Sequence, residues 1–332
     1  MVLRGDALDV VLNDDGKPRT TSFTPGAIPP ATAAASAREP ADGGTVAGYP
    51  VACAVTADHV FCPDRTGAVH RTNRDGTGDR IAASSRSGSR ISAATLAGSH
   101  SALGYLASRQ TSEGWVSEAW LAVDDELPVR LSEDGSGATS LVLAARKGSV
   151  LAVSVDARAA LTTLHVRPVT FEGRVQLGEN VVVFVGGPGD RRTAAAIALP
   201  PSGVAWALLP IPKDIGSFGM AVVRVDEPAH VDEPVQWSMY PNGLDPAPVV
   251  SVVDGSVTWV ARVRPQGAEP GSPRVLELGV VGGADGVFAS RGLLLTGAPK
   301  LTDVALAADR EGALWVSWVD GTGSWLERVA CR

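Results

Sequence analysis

Short apolar segments of about five to seven residues recur along the whole chain, and each ends in a polar or glycine-containing turn. Segments of this length bounded by turn residues are typical of β-strands, whereas an amphipathic helix needs a longer stretch with apolar residues three and four positions apart. With 37 glycines and 23 prolines in 332 residues, the pattern predicts an all-β protein. Six of the segments are rich in Ala and Val: VACAV, ISAATLA, LVLAA, AAAIAL, VVSVV and VALAA.

A large residue follows the turn after each of these segments, at one position of a repeating unit. After it come a second strand, a longer loop and usually another hairpin, so each unit is predicted to be a four-stranded antiparallel meander. The units repeat at intervals of roughly 44 to 56 residues, a period found in repeat architectures. The six large residues are Phe61, Tyr105, Leu151, Trp206, Trp259 and Trp315.

One four-stranded sheet cannot bury both of its faces, but consecutive copies can do so when they pack face to face around an axis. The sequence therefore predicts a six-bladed β-propeller. Small residues suit the crowded inner strands, and the large residue fills the gap between neighbouring sheets, so we interpret the recurring aromatic as packing and not as part of a cofactor site. The predicted blades cover residues 48–87, 88–137, 138–190, 191–246, 247–299 and 300–332.

The last predicted blade contains only three strands, in LTDVALAADREGALWVSWVDGTGSWLERVACR. The segment ALDVVLNDDG has the apolar length of one strand and lies outside the repeats. Residues 1–24 are therefore predicted to supply the fourth strand and close the ring, because an unpaired sheet edge would promote aggregation. Residues 25–47, rich in Pro and Ala, are interpreted as a connector to the first blade.

The segment Gly67–Ala82, GAVHRTNRDGTGDRIA, resembles the strand-turn-strand of TolB-like six-bladed propellers, in which a DGTG-type turn ends a strand. A weaker copy of this turn is DGTG at Asp320–Gly323. The resemblance covers a single blade and implies the propeller architecture. Many propellers of this kind are periplasmic or surface proteins that bind other macromolecules, so the resemblance implies such a setting.

Charge and hydropathy narrow the range of partners. The chain has 36 acidic and 29 basic residues and a formal net charge of −7, without the dense Lys/Arg face that binds phosphate backbones, so nucleic acid is not an expected partner. No apolar run approaches the ~20 residues of a membrane helix, and MVLRGDALDV lacks the apolar core of a signal peptide. We therefore expect no membrane span.

The three cysteines are Cys53, Cys62 and Cys331. The segment PVACAVTADHVFCPD predicts two short strands around a turn centred between Ala57 and Asp58, which sets Cys53 opposite Cys62 at a distance suited to a disulfide. The alternative is two buried thiols that pack as small apolar residues. A disulfide favours an oxidising compartment, so we expect a periplasmic or extracellular protein whose leader has been removed, with Cys331 unpaired.

Motifs of several common reaction classes are missing from the sequence, which contains no P-loop, GxSxG elbow, HExxH or paired CxxC. The five histidines lie on separate predicted strands and turns, so neither a metal nor another cofactor is expected. TNRDGTGD places oxygen donors at Asn73, Asp75, Thr77 and Asp79, as some calcium loops do. Asp-Gly is also the favoured dipeptide of a tight turn, and the turn is the preferred interpretation.

Candidate site residues follow from their position in the repeat. In a propeller, the loop after the second strand and the loop between blades lie at the same face, around the mouth of the axial channel. Charged residues recur in these loops, where they either line a polar ligand site or docking surface or are simply solvated loop ends. The predicted ligand or partner residues are Asp64, Arg65, Arg109, Asp156, Arg158, Lys213, Asp214, Arg264 and Asp320.

We interpret the chain as a non-catalytic binding or scaffold propeller that recognises protein or polysaccharide. The alternative is a glycan-active hydrolase or lyase with its active site at the channel mouth. An enzyme should bring titratable residues with displaced pKa values into one pocket, whereas a scaffold should present a broad face with an apolar patch.

Overall fold

A computed structural model of the chain describes residues 2–4, 7–23, 53–87, 89–112, 114–146, 149–156, 163–185, 196–198, 206–214, 217–224, 236–241, 249–254, 257–265, 273–282, 287–298, 301–308, 313–320 and 324–329. These segments form antiparallel β-sheets and one short 3₁₀ turn at Ala97–Ser99. The prediction of an all-β protein is therefore confirmed. The predicted connector at 25–47 and Cys331 lie outside the described residues.

The chain begins with a three-stranded sheet, called here the N-terminal sheet. Its strands are β1 (Val2–Arg4), β2 (Ala7–Asp14) and β3 (Lys17–Phe23). Five sheets of four or five strands follow, and each is called a blade. Blade 1 contains β4 (Ala54–Val55), β5 (His59–Pro63), β6 (Ala68–Asn73) and β7 (Arg80–Ser84). Blade 2 contains β8 (Ser92–Thr95), β9 (Ser101–Thr111), β10 (Gly114–Val123) and β11 (Val129–Arg130).

The remaining blades repeat this order. Blade 3 contains β12 (Ala138–Arg146), β13 (Ser149–Asp156), β14 (Thr163–Phe171), β15 (Val175–Leu177) and β16 (Val181–Val185). Blade 4 contains β17 (Ala196–Ala198), β18 (Trp206–Asp214), β19 (Ser217–Arg224) and β20 (Gln236–Pro241). Blade 5 contains β21 (Val249–Asp254), β22 (Val257–Pro265), β23 (Arg274–Gly282) and β24 (Val287–Ala298). The C-terminal sheet contains β25 (Leu301–Ala308), β26 (Leu314–Asp320) and β27 (Ser324–Val329).

The first strands of successive sheets contact one another along the chain. β4 lies beside β8, β8 beside β12, β12 beside β17, β17 beside β21 and β21 beside β25. Consecutive meanders thus stack face to face with their first strands together, which is the arrangement of a β-propeller. The fold is an all-β propeller.

The apolar core lies between neighbouring sheets. Phe61 and Tyr105 pack between blades 1 and 2, Leu121 and Leu141 between blades 2 and 3, and Leu314 between blade 5 and the C-terminal sheet. At these three interfaces, neighbouring sheets therefore bury their apolar faces against each other.

The six large residues of the repeat all lie in second strands, as predicted. They are Phe61 in β5, Tyr105 in β9, Leu151 in β13, Trp206 in β18, Trp259 in β22 and Trp315 in β26. Phe61, Tyr105, Leu151 and Trp315 are buried, and burial raises the pKa of Tyr105 to about 12. Phe61 and Tyr105 pack between blades 1 and 2, and Trp259 packs against the cluster between blade 5 and the C-terminal sheet, in agreement with the interpretation of the recurring aromatic.

The prediction of six four-stranded blades is wrong in its count. In the part of the chain that the structure describes, five sheets reach four strands, and the C-terminal sheet stops at three. The segment predicted to complete that sheet pairs with itself, because β2 lies between β1 and β3 in the N-terminal sheet.

A tight turn explains the N-terminal sheet. Asp14 pairs with Lys17, and the two residues between them, Asp15 and Gly16, have φ angles of 49° and 88°. Two consecutive residues with positive φ form a type I′ hairpin turn, for which Asp-Gly is a favoured pair. Residues 7–23 therefore fold back into a hairpin. β1 lies beside β25 and β3 beside β5, and closure of the ring by this sheet stays a prediction.

The predicted disulfide between Cys53 and Cys62 is confirmed. The two α carbons are 4.4 Å apart, and the Cys62 side chain is fully buried. Ala54 pairs with Phe61 in the ladder, so Cys53 falls directly opposite Cys62. Among the described residues, no helix is long and apolar enough to span a membrane.

Replacement of Trp315 by alanine tests the packing role of the recurring large residue. Trp315 is fully buried, so Trp315→Ala should lower the free energy of unfolding by about 3 to 5 kcal/mol. The control is Trp115→Ala, because Trp115 is 73% exposed and its loss should change stability by less than about 0.5 kcal/mol. Urea denaturation followed by circular dichroism measures both values, and equal losses would contradict this packing role.

Two glycines with similar backbone conformations test whether the N-terminal hairpin packs on blade 1. Gly16 and Gly76 have φ angles of 88° and 84°, so alanine at either position carries about 1 to 2 kcal/mol of backbone strain. A Cβ at Gly16 would also lie 2.6 Å from Cδ2 of His70, whereas a Cβ at Gly76 meets nothing within 4 Å. Gly16→Ala should therefore lower the thermal midpoint more than Gly76→Ala, and equal shifts would argue against the contact.

Candidate functional site

The predicted site residues lie at one end of the sheets wherever their backbone is described. Asp64 and Arg65 follow β5, and Asp156 is the last residue of β13. Arg109 lies close to the end of β9. Because successive strands of a meander alternate in direction, the end of a second strand and the end of a fourth strand lie at the same edge of the sheet. The loop from each blade to the next therefore begins beside these residues.

Four of the predicted residues can be placed by their backbone alone. Lys213 and Asp214 end β18, Arg264 is the second-last residue of β22, and Asp320 ends β26. Arg158 lies outside the described residues. The role of all five residues at a ligand or partner face stays a prediction.

Arg109 belongs to a network of charged side chains on blade 2. Glu118 on β10 accepts hydrogen bonds at Oε1 from Nη2 of Arg109 at 3.0 Å and from Nη1 of Arg130 at 3.4 Å. Nη1 of Arg130 also donates to Oδ1 of Asp134 at 2.7 Å, and Nη2 of Arg109 contacts the same oxygen. Arg109 and Arg130, called here the arginine pair, thus share two carboxylates.

The register of the sheet explains why these side chains meet. Glu118 pairs with Ala107, two residues from Arg109 on β9, and Arg130 pairs with Trp120, two residues from Glu118 on β10. Positions two apart on a strand point to the same face, so the three side chains lie in one row across β9, β10 and β11.

Burial differs sharply across this network. The Glu118 side chain is 1% exposed, whereas the side chains of Arg109, Arg130 and Asp134 are 46%, 37% and 67% exposed. A buried carboxylate needs charged or hydrogen-bonding partners, so Glu118 holds both guanidinium groups on their buried side. The hydrogen bond with Glu118 and the charges of Asp134 and Glu118 raise the pKa of Arg109 above its ordinary value.

The loop between blades 2 and 3, residues 132–137, is bound to the same carboxylate. The backbone N–H of Gly135 donates to Oε1 of Glu118 at 3.2 Å, and the Ser132 hydroxyl accepts from the N–H of Ala119 at 3.0 Å. The backbone next to Asp134 is therefore held in place, while the Asp134 side chain reaches the arginine pair from the solvent side.

The arginine pair keeps hydrogen-bonding capacity for another molecule. A guanidinium carries five N–H donors in a planar fork. With respect to the described residues, Arg109 donates only through Nη2 and Arg130 only through Nη1. The remaining N–H groups of two fixed, half-exposed guanidiniums can bind carboxylate, sulfate or hydroxyl oxygens.

Asp156 forms a second and separate group on blade 3. Its Oδ2 lies 3.6 Å from Nε2 of His165. Nε2 of His165 is 2.9 Å from the Thr163 hydroxyl, and Nδ1 is 3.2 Å from the Asn180 amide. Burial and, to a smaller extent, the charge of Glu133 raise the pKa of Asp156, whereas the charge of His165 and a hydrogen bond with Ser136 oppose this rise. Asp156 is buried and does not present its carboxyl group to solvent.

Asp64 and Arg65 form a third group, with the N-terminal hairpin. The backbone N–H of Arg65 donates to Oδ1 of Asp15 at 2.9 Å, and Nε of Arg65 lies 3.5 Å from Oδ2 of Asp15. His70 lies between Asp64 and Asp79, with Nε2 3.3 Å from Oδ2 of Asp64 and Nδ1 3.1 Å from Oδ1 of Asp79. These contacts join the hairpin to blade 1.

The pKa values of His70 and Asp64 are both displaced by this arrangement. Burial lowers the pKa of His70, but the hydrogen bonds and charges of Asp79 and Asp64 outweigh burial and raise it above 6.5. Burial raises the pKa of Asp64, but hydrogen bonds from Thr66, His70 and Ala68 outweigh burial and lower it below 3.8. The charged forms of both residues are favoured.

The segment TNRDGTGD forms a turn in the structure. The N–H of Gly76 donates to the carbonyl of Asn73 at 2.9 Å, and Oδ1 of Asp75 accepts from the N–H of Thr77 at 2.9 Å and from its hydroxyl at 2.6 Å. Asp79 contacts His70. The oxygen atoms of this segment therefore stabilise the turn and blade 1. The described residues contain no group of three or more His, Cys, Asp or Glu side chains suited to a metal ion.

One serine-histidine contact is also present, at the opposite end of the blades. Nδ1 of His59 and the Thr56 hydroxyl both lie 2.8 Å from Oγ of Ser101, and the N–H of Ser101 donates to Oδ1 of Asp124 at 3.0 Å. Ser101 is buried. The contact joins blade 1 to blade 2 and does not expose a nucleophile.

Comparisons with known proteins add little to this picture. No protein-family model and no curated protein sequence matches the chain. AofleA from Arthrobotrys oligospora is 11% identical, with a TM-score of 0.46 over 85% of this chain and 83% of that chain. The GH32 β-fructofuranosidase BmSUC1 of Bombyx mori is 10% identical, with a TM-score of 0.47 over 86% and 79%. A lectin of Aleuria aurantia in complex with Fucα1-6GlcNAc is 10% identical, with a TM-score of 0.41 over 85% and 96%. These likenesses are too weak to assign a function.

The pH dependence of stability tests the His70 group. A raised pKa in the folded state contributes stability that is complete below the ordinary value of 6.5 and is lost as the pH rises through the folded value. The lowered pKa of Asp64 contributes stability above 3.8 that is lost as the pH falls through its folded value. The group should therefore stabilise the fold most between these two ordinary values.

The variant His70→Asn replaces the titrating imidazole with an amide, which does not titrate but can still form hydrogen bonds. The thermal midpoint of the wild type should fall more between pH 5.5 and pH 8.5 than that of His70→Asn. Parallel curves for the two proteins over this range would contradict the assignment.

Proposed function

We propose that the chain is a non-catalytic, glycan-binding propeller whose ligand site contains the arginine pair of blade 2. The observation that supports this most directly is the preorganisation of two guanidiniums by a buried carboxylate. Glu118 holds Arg109 and Arg130 in one row, so a ligand does not have to restrict these long side chains when it binds.

The chemistry of the site suits a hydroxyl-rich ligand. Sugar hydroxyl and carboxylate oxygens accept from the N–H groups that the arginine pair leaves available. The exposed indole of Trp115 lies at the tip of the β9–β10 hairpin, at the same end of blade 2 as Arg109. Strand alternation places Trp115 on the other face of the blade from Glu118 and the arginine pair. An extended saccharide that crosses this end of the blade would contact both Trp115 and the arginine pair.

A protein partner is less well supported. A protein-binding face is expected to contain a contiguous apolar patch with aromatic anchors. The exposed large apolar residues in the described ranges are Ile81, Trp115, Leu127 and Val257, and the latter two lie in different blades from one another.

A glycan-active enzyme is also less well supported. Glycoside hydrolysis needs two carboxyl groups that reach opposite sides of one glycosidic bond. The buried carboxyl groups of Glu118 and Asp156 belong to different blades, and each is nearly inaccessible to solvent. Glu118 already pairs with two arginines, which favours a structural role for its charge.

The disulfide supports a location where glycans are accessible. Disulfides persist in the periplasm and outside the cell and are rare in the cytosol. We therefore propose a periplasmic or extracellular protein. The resemblance of residues 67–82 to TolB-like propellers supports the same setting.

Binding to a glycan array, followed by calorimetry with the best ligand, tests the proposed function. The Arg109→Lys, Arg130→Lys double variant keeps both charges next to Glu118 but removes the planar fork. Its affinity should be about 10- to 100-fold lower, because one or two charge-assisted hydrogen bonds are lost.

Arg174→Lys is the matched control for this experiment. Arg174 is exposed and lies in the turn between β14 and β15, at the opposite end of its blade from Arg109. Its replacement should leave the affinity unchanged. Binding that the double variant retains in full would place the glycan elsewhere, and capture of proteins but of no glycan would favour a protein scaffold.

A further inference from the structure

Asp134 occupies the position that an anionic ligand would take at the arginine pair. Its carboxylate is 67% exposed and contacts both Arg109 and Arg130 from the solvent side, opposite the buried Glu118. One carboxylate between two guanidiniums is the arrangement by which proteins recognise carboxylate groups of ligands.

The contact of Asp134 with the arginine pair is weak enough to be exchanged. Ion pairs between exposed side chains contribute only about 0 to 1 kcal/mol, because water screens them and long side chains lose rotamer freedom. The contact between Glu118 and the pair is different, since breaking it would leave a buried charge without compensation. A competing carboxylate would therefore replace Asp134 and leave Glu118 in place.

The exchange needs no movement of the backbone. Gly135 is bound through its N–H to Glu118, and the N–H of Leu131 donates to the carbonyl of Ala119 at 2.8 Å, so the loop is anchored on both sides of Asp134. Rotation of the Asp134 side chain alone would open the solvent-facing side of the arginine pair.

We infer that the arginine pair binds the carboxylate of an acidic glycan, one that contains uronic acid residues, and that Asp134 is a built-in competitor for this carboxylate. The inference rests on the proposed function and specifies the ligand class of the same site. Asp134 lowers the affinity for acidic ligands and should have little influence on neutral ones.

The variant Asp134→Asn tests this inference, with Glu133→Gln as its matched control. Both residues are exposed neighbours in the same loop, and both substitutions remove one negative charge. The described side-chain contacts to the arginine pair come from Asp134 and Glu118, so Glu133→Gln changes the local charge without opening the site.

The probes are oligomers of galacturonate, glucuronate and mannuronate, each compared with its neutral methyl ester by calorimetry on the full chain. At least one oligomer should bind the wild type more tightly than its ester does. Asp134→Asn should raise the affinity for that oligomer about tenfold, Glu133→Gln should change it less than about twofold, and the affinity for the ester should stay the same.

Several results would overturn the inference. Weaker binding of the acidic oligomer by Asp134→Asn would show that Asp134 helps to position the site, and unchanged binding would show that it does not compete. Equal effects of the two loop variants would show that the affinity depends on the charge of the loop and not on competition by Asp134. Binding of neutral glycans alone, with dependence on the arginine pair, would overturn the acidic ligand class while the proposed function stands. Failure of every acidic and neutral glycan, with Asp134→Asn included, would reject both.

Discussion

Burial between neighbouring sheets is the constraint on which the rest of this structure depends. A four-stranded meander has two apolar faces, and it can remove both from water only by packing against a sheet on either side. The interior clusters reflect this, because residues such as Tyr105 and Leu141 belong to contacts between blades. The chain must therefore keep bulky residues in the second strands and confine its chemistry to the ends of the strands.

Charged residues that enter the sheets have to satisfy this constraint, and two blades do so differently. In blade 5, Arg262 and Glu277 are paired in the ladder, and Nε of Arg262 donates to Oε2 of Glu277 at 2.8 Å with both side chains buried. In blade 2, Glu118 is equally buried but its arginine partners extend to the surface. The Arg262–Glu277 pair is enclosed by the core. In blade 2, the arginine partners of the buried Glu118 lie at the end of the blade, where a ligand can reach them.

Much of the fold follows from local patterns in the sequence. Strand spacing is regular because side chains alternate along a strand, so a turn at Ala57 and Asp58 is enough to place Cys53 opposite Cys62. The predicted blade count is wrong because the N-terminal segment contains a hairpin turn of its own. Asp15-Gly16 is the kind of dipeptide that turns a hairpin, and it divides one predicted strand into two.

The site was only partly predictable, for reasons of burial and register. Arg109 was found because its position in the repeat places it near the end of a second strand. Asp156 was found by the same rule, yet it is buried against His165, because position alone does not specify how deeply the end of a strand is covered. Glu118 was missed, although a single acidic residue within the strand GWVSEAWLAV indicates a buried charge that needs a basic partner on an adjacent strand.

The location of the arginine pair follows from these constraints together. A buried carboxylate destabilises a sheet unless cations reach it, and long arginine side chains can do so from the ends of neighbouring strands while their guanidiniums stay partly hydrated. The loop to the next blade begins at the same end, so its backbone and Asp134 complete the shell around these guanidiniums. The groups that compensate Glu118 are thus the groups that a ligand meets first, which connects the stability of blade 2 to recognition at its surface.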